Sequence, residues 1–301
     1  MKKIVDFFKR IIYYFKMLFC KKETYKMFYT TYDEKVCNIT YAYPHPFGDN
    51  NVLSNVYEKN YGVITFEKPL TCISAHTFSE STNLKTITIP DTVEEIESCT
   101  FNNNTMYAFY GKFASNDTKS LIINNKLIAV ALSGTSTYTV PNNVTNIENV
   151  FTNIKRKDLT VKVDKICGRP LDFEYSYIQL VSNIPSIPDN SFKNNVFSRI
   201  ELGEDVKYIG KHAFMRSHAK YDYDIPSYHE FNNDCQIICH ANKPPQLGDE
   251  YTFGSIYPGT DDDWPNTNFA YKNIYVPDNS IGLYKKEWAK YNSYIQKISI
   301  L

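Results

Sequence analysis

Two adjacent stretches of this chain, VITFEKPLTCISAHTF and TITIPDTVEEIESCTF, match at a constant offset of 23 residues: Ile64 with Ile87, Phe66 with Ile89, Leu70 with Val93, Ile73 with Ile96, and Phe78 with Phe101. A fixed repeat constrains a fold more than composition does, because one such unit cannot bury its own apolar side and must stack on the next. A third copy, YTVPNNVTNIENVF, sets Tyr138, Val140, Val144 and Ile147 at a further offset of 51, with Phe151 one residue early. A fourth, RIELGEDVKYIGKHAF, sets Ile200, Leu202, Val206, Ile209 and Phe214 at 113 after the second unit. Weaker copies of the second half hold Ile187 with Phe192, and Leu247 with Phe253.

Apolar residues two apart, such as Ile87 and Ile89, turn to one side of a short strand. The proline that follows, Pro90 or Pro141, cannot donate a ladder hydrogen bond and ends the strand. Val93 and Ile96, three apart, fit a second extended or turn segment, and Phe101 closes the unit from its far side. The expected fold is a mainly β repeat solenoid with short parallel strands. Ile64, Ile87, Tyr138, Ile200 and Ile274 should be equivalent inward residues, with Phe78 against Phe101 and Phe192 near Phe214. The presence of 25 Tyr and 19 Phe but only 11 Gly suits strands and aromatic-packed turns.

The unit LKTITIPDTVEEIESCTF resembles the BspA-like leucine-rich repeat, and the resemblance covers residues 57 to 298. A longer unit, FYGKFASNDTKSLIINNKLIAVALSGTSTYTVP, the late CHANKPPQLGDEYTF, and the terminal NIYVPDNSIGLYKKEWAKYNSYIQKI are similar to segments of bacterial members. Residues 152–185 keep little of the consensus and are expected to form an irregular insertion. The resemblance implies a surface protein that binds host proteins or neighbouring cells through its repeats. It implies no particular ligand, and it supplies no catalytic motif.

Residues 1–22, MKKIVDFFKRIIYYFKMLFCKK, form a separate module with seven Lys or Arg against one Asp. On a helix, Ile4, Phe8, Ile11, Phe15 and Phe19 share an apolar face opposite Lys2, Asp6, Lys9 and Lys16, giving a basic amphipathic helix suited to membrane contact. An export signal of unusual form and a helix packed as a cap are the other readings. Residues 23–56 are an N-terminal cap region before the repeats.

At the other end, Ile274 and Val276 are a last in-facing pair stopped by Pro277. Asp278 or Ser280 can cap a helix beginning near Ile281. Leu283, Tyr284, Trp288, Tyr291 and Ile295 follow helical spacing, so 273–298 is expected to be the C-terminal cap.

Thirty-three basic and thirty-three acidic residues cancel, so no global field favours nucleic acid. The chain carries no Gly-rich phosphate loop, H-E-x-x-H or G-x-S-x-G, and no catalytic residue, metal or cofactor is assigned. Seven scattered cysteines do not form a disulfide framework. Cys72 and Cys99 are expected to be small buried hydrophobes, and Cys235 and Cys239 to be buried strand residues rather than metal ligands with His240. Asp261, Asp262 and Asp263 suit a solvated loop better than a calcium site. His76 and His212, each two before a repeat Phe, suit structural hydrogen bonds. Sequons such as Asn116-Asp-Thr118 are frequent in an Asn-rich chain.

Strand alternation supplies the binding-face candidates. If Ile87 and Ile89 face inward, then Thr86 and Thr88 face outward, as do Thr65, Thr139, Glu201 and Tyr275 on their own strands. Their mixed character suits a protein or glycan ligand. The reading is a non-catalytic binding module at a cell surface or membrane. An intracellular repeat scaffold is the alternative, and an enzyme of unknown type a distant one.

Overall fold

The computed structural model describes residues 25–40, 45–101, 103, 105–147, 150–151, 154, 156–164, 178–193, 195, 197–217, 235–256, 265–266 and 271–301. The helix expected at 1–22, with Ile4, Phe8, Ile11, Phe15 and Phe19, lies outside these residues, as do Asp261, Asp262 and Asp263. The fold is a β-solenoid with mostly parallel strands, divided into two compact units. The first holds 25–123 with Ile128–Ser133, and the second Asn124–Leu127 with Gly134–Leu301.

In the first unit a five-stranded sheet runs in the order Val52–Glu58, Tyr61–Phe66, Lys26–Thr31, Leu84–Ile89, Ala108–Gly111. Ile64 and Ile87 are both fully buried, as the repeat requires. They are not stacked directly, however, because Lys26–Thr31 runs antiparallel between their strands, with Met27 opposite Ile64 and Tyr29 opposite Ile87. The segment KMFYTT alternates buried and half-buried residues, so its inward side completes the core. A Cβ on Gly62 would meet the Tyr29 ring at 2.0 Å, so glycine makes room for that ring. The later parts of the two repeats do stack directly: Cys72–Ile73 pairs in parallel with Glu95–Ile96, and Phe78 bridges to Phe101.

The turns before Phe78, Phe101, Phe192 and Phe214 share a design. His76, Cys99, Asn190 and His212, each two before a Phe, all have φ between +55° and +60°. His and Asn tolerate this left-handed region better than most residues. The next position is a buried hydroxyl residue at Thr77, Thr100 and Ser191 and an alanine, Ala213, before Phe214; Thr252 supplies the same hydroxyl before Phe253, although Tyr251 does not have the positive φ. Each hydroxyl donates to the carbonyl three residues back, at 2.8, 2.7, 2.7 and 3.1 Å, which satisfies a polar group inside the core. Cys72 and Cys99, expected to be buried, are half-buried, and Cys99 sits in this turn.

In the second unit a seven-stranded sheet is parallel throughout: Thr137–Thr139, Thr160–Val163, Ile178–Ser182, Phe197–Leu202, Gln236–Cys239, Asn273–Val276 and Ile295–Lys297. One row of the register reads Tyr138, Val161, Leu180, Ile200, Ile237, Ile274, Ile295, and every member is at most 4% exposed. The described part of 152–185 therefore continues the ladder through Val161 and Leu180, despite its weak consensus. Ser186–Ile187, Tyr208–Ile209 and Gln246–Leu247 form a second parallel track, and Phe192, Phe214 and Phe253 a stacked column.

The C-terminal helix is Ile281–Glu287, shorter than its apolar spacing suggests. Trp288 leaves helical geometry at φ −103° and ψ 46°, a 3-10 segment follows at Ala289–Tyr294, and Ile295 begins the last strand of the sheet. Ile295 thus packs in the sheet rather than on a helix face, and Leu283 is 42% exposed. Neither expected cap acts on the helix: Ser280 donates to Asn242 O at 2.8 Å, and Asp278 accepts from Ser299 N and Oγ. What holds the cap is a set of aromatic side chains with polar ends. Tyr284, Trp288 and Tyr291 donate to the carbonyls of Ala241, Pro245 and Glu250 at 2.7, 2.9 and 2.8 Å, while their rings close the core.

Candidate functional site: the outer strand face

Because the strands of the second unit are parallel and in register, their outward side chains line up in rows about 4.8 Å apart from strand to strand. One row reads Thr139, Lys162, Val181, Glu201, Ile238, Tyr275, Gln296, and the neighbouring row Thr137, Thr160, Gln179, Arg199, Gln236, Asn273. Thr139, Glu201 and Tyr275 therefore do share one row. Their access to solvent differs: Thr139 and Lys162 are exposed, Glu201 is half-buried, and Tyr275 is only 7% exposed. Tyr275 stands beside Ile238, itself 1% exposed, and Asn273 Nδ2 reaches its hydroxyl at 3.5 Å. Alternation sets the direction of a side chain, whereas bulky neighbours on adjoining strands decide how much of it meets water.

Thr65, Thr86 and Thr88 lie on the sheet of the first unit. Thr65 and Thr88 are half-buried. Thr86 is 6% exposed, between Thr30 and Ala108 in register, with the Thr30 and Thr86 hydroxyls 2.7 Å apart. The row through Thr88 reads Val56, Val63, Phe28, Thr88, Tyr110, which is more apolar than the face of the second unit.

Around Glu201 the structure assembles two residues that strand alternation did not single out. Arg199 donates from one terminal nitrogen to Glu201 Oε2 at 2.9 Å, and His240 Nε2 lies 2.8 Å from Glu201 Oε1. Arg199 was within reach of sequence reasoning, because i and i+2 share a strand face. His240 was not, because its place depends on the register that sets Leu202 opposite Cys239.

Cys235 and Cys239 are fully buried, and the Cys239 Sγ lies 3.1 Å from the Tyr284 hydroxyl. Burial pushes the Cys239 thiol and the Tyr284 hydroxyl up, so both act as neutral core groups. His240, half-buried, is tied to Glu201 instead. Among the described residues no group of three or more His, Cys, Asp or Glu is placed to hold a metal ion. His212 Nε2 lies 3.0 Å from Asp249 Oδ2, a contact that links neighbouring turns. No described helix is long and apolar enough to cross a membrane.

A family model described as BspA type Leucine rich repeat region matches the chain in six copies, over residues 54–166, 106–220 and 172–235. These matches together span 54–235, more than half of the 301 residues. A search of curated proteins finds no match.

Proposed function

We propose that this chain, which belongs to the BspA-type leucine-rich-repeat family, is a non-catalytic binding module whose outer strand face holds a protein or glycan at a cell surface. The observation that carries this reading is the parallel register of the second unit, which runs from Thr137–Thr139 to Ile295–Lys297 with one irregularity between Ile178 and Gln179. It sets Thr139, Lys162 and Glu201 in one row, with Val181, Ile238 and Tyr275 among them, beside a polar row of Thr137, Thr160, Gln179, Arg199, Gln236 and Asn273 on the same sheet. Thr139, Lys162 and Glu201 are the contacts assigned to it, with Thr65 and Thr88 as the corresponding positions of the first unit. Such surfaces bury a broad area, within which a few contacts carry most of the affinity.

The test is a comparison of the unaltered chain with the double variant Thr139→Arg and Lys162→Glu, both at exposed positions. Each is immobilised and offered a glycan array and a preparation of extracellular and surface proteins. The reading requires a ligand captured by the unaltered chain and lost by the variant, with equal melting temperatures. Equal capture by both would place the partner away from this face. Fractionation of the cells that make the protein separates a surface location from an intracellular scaffold using the same face.

A further inference from the structure

The strand Val52–Glu58 is the outermost strand of the first unit's sheet, and within that sheet it pairs on one side only, with Tyr61–Phe66. Its backbone polarity follows from the hairpin that joins the two. The loop is Lys59–Asn60, with φ of +52° and +82°, a two-residue turn closed by the pair Glu58 and Tyr61. In such a hairpin the closing pair exchanges hydrogen bonds, and so does every second pair beyond it. Glu58, Val56 and Ser54 therefore direct N–H and C=O at the neighbouring strand. The donation from Phe66 N to Tyr25 O at 2.8 Å fixes the same phase independently, since it turns the even residues of Tyr61–Phe66 the other way. Asn55 and Tyr57 are left with their N–H and C=O aimed at the open edge, where neither has a main-chain partner among the described residues.

Natural sheets blunt such an edge with Lys, Pro, a bulge or a short strand, and here the only such device is the irregularity between Val52 and Ser54, which leaves Ser54–Glu58 regular. The strand is seven residues long, VLSNVYE, without Lys, Arg or Pro, and Leu53 and Val56 are 63% and 44% exposed. We propose that the edge is a two-fold self-association site, at which Val52–Glu58 of one copy pairs antiparallel with the same strand of a second copy.

The backbone selects the register. Only residues whose polar groups face the edge can form hydrogen-bonded pairs, and the irregularity between Val52 and Ser54 spoils any ladder that uses Leu53. The remaining two-fold arrangement with two complete pairs sets Asn55 opposite Tyr57 of the second copy, and Tyr57 opposite its Asn55. The axis then passes between the two Val56 side chains, which cover one another, while Glu58 faces Ser54 and no like charges oppose. Four main-chain hydrogen bonds and a small apolar contact make a weak dimer, of the kind that holds at high local concentration on a surface. The proposal does not depend on the ligand-binding reading, and neither fails with the other.

Three measurements on the full chain decide it. Sedimentation of the unaltered protein over a wide concentration range should show a reversible monomer–dimer equilibrium. Val56→Lys, which opposes two ammonium groups on the axis, should weaken it at least about tenfold, whereas Val56→Ile should preserve it. Under mild oxidation Val56→Cys should give a disulfide-linked dimer, since non-hydrogen-bonded antiparallel partners lie within disulfide reach. Ser54→Cys and Glu58→Cys should cross-link when mixed but not separately. The unaltered chain serves as the control for its native cysteines. A protein that stays monomeric throughout, or Glu58→Cys joining to itself while Val56→Cys does not, would overturn the proposal.

Discussion

The rings of Phe192 and Phe214 stack with centroids 5.0 Å apart and planes 14° from parallel, and Phe78 and Phe101 repeat the arrangement at 5.6 Å and 9°. All four come from the last apolar position of their repeat. Phe214 also stacks on Phe253 at 5.7 Å, so it is held on both faces. Phe214→Ala should lower the unfolding free energy by about 3–5 kcal/mol, the cost of a large-to-small core change, and Phe101→Ala by a similar amount. Urea titration followed by circular dichroism measures this. An unmoved midpoint in either variant would mean that the column carries little of the stability.

The left-handed turn position yields a conformational prediction. Cys99 has φ +57°, where a β-branched residue is strained and asparagine is at ease. Cys99→Asn should leave the melting temperature unchanged or raise it, whereas Cys99→Val should cost about 1–2 kcal/mol. Thermal melts of the two variants settle the order, and the reverse order would refute the assignment of strain to this turn.

Buried titrating groups set the alkaline behaviour. Burial pushes the Cys37 thiol from 9.0 up to about 12, and also raises the Tyr29, Tyr284 and Tyr291 hydroxyls. A folded pKa above the unfolded one means that the folded state keeps its proton while the unfolded chain has lost it. The stability is therefore complete below pH 9.0 and is lost as pH rises towards 12 for Cys37. Each such group contributes a slope of at most about 1.4 kcal/mol per pH unit. Urea midpoints should hold steady up to pH 9 and then fall, and Cys37→Ala should fall less steeply. Midpoints insensitive to pH above 9 would show these groups to be solvated.

The N-terminal segment is tested by a comparison in solution. The full chain should bind anionic vesicles, a version beginning at Glu23 should not, and added salt should weaken the binding. Equal binding by both would favour the packed-cap reading of residues 1–22.

Much of the fold was legible in the repeat. The inward residues Ile64, Ile87, Tyr138, Ile200 and Ile274 are all buried, because a period-two pattern fixes which side of a strand meets the core. Thr160–Val163 and Ile178–Ser182 obey the same alternation, although the stretch that holds them keeps little of the repeat consensus. The candidate site was less legible. The outward direction of Thr86 and Tyr275 followed from alternation, but their burial did not, and the grouping of Arg199, Glu201 and His240 needed a register that no single strand encodes.

The sequence by itself determined the local terms: which residues share a strand face, where proline ends a strand, and which Phe positions stack, since each follows from spacing within one unit. Tertiary structure decided what depends on contacts between distant segments. It placed Lys26–Thr31 antiparallel between two repeat strands, turned Ile295 from an expected helix face into a sheet, and left Val52–Glu58 at an edge. The physical reason is that main-chain hydrogen bonding is indifferent to side-chain identity. A strand with a suitable inward face can join either neighbour in either direction, and only the packing of the whole unit selects one.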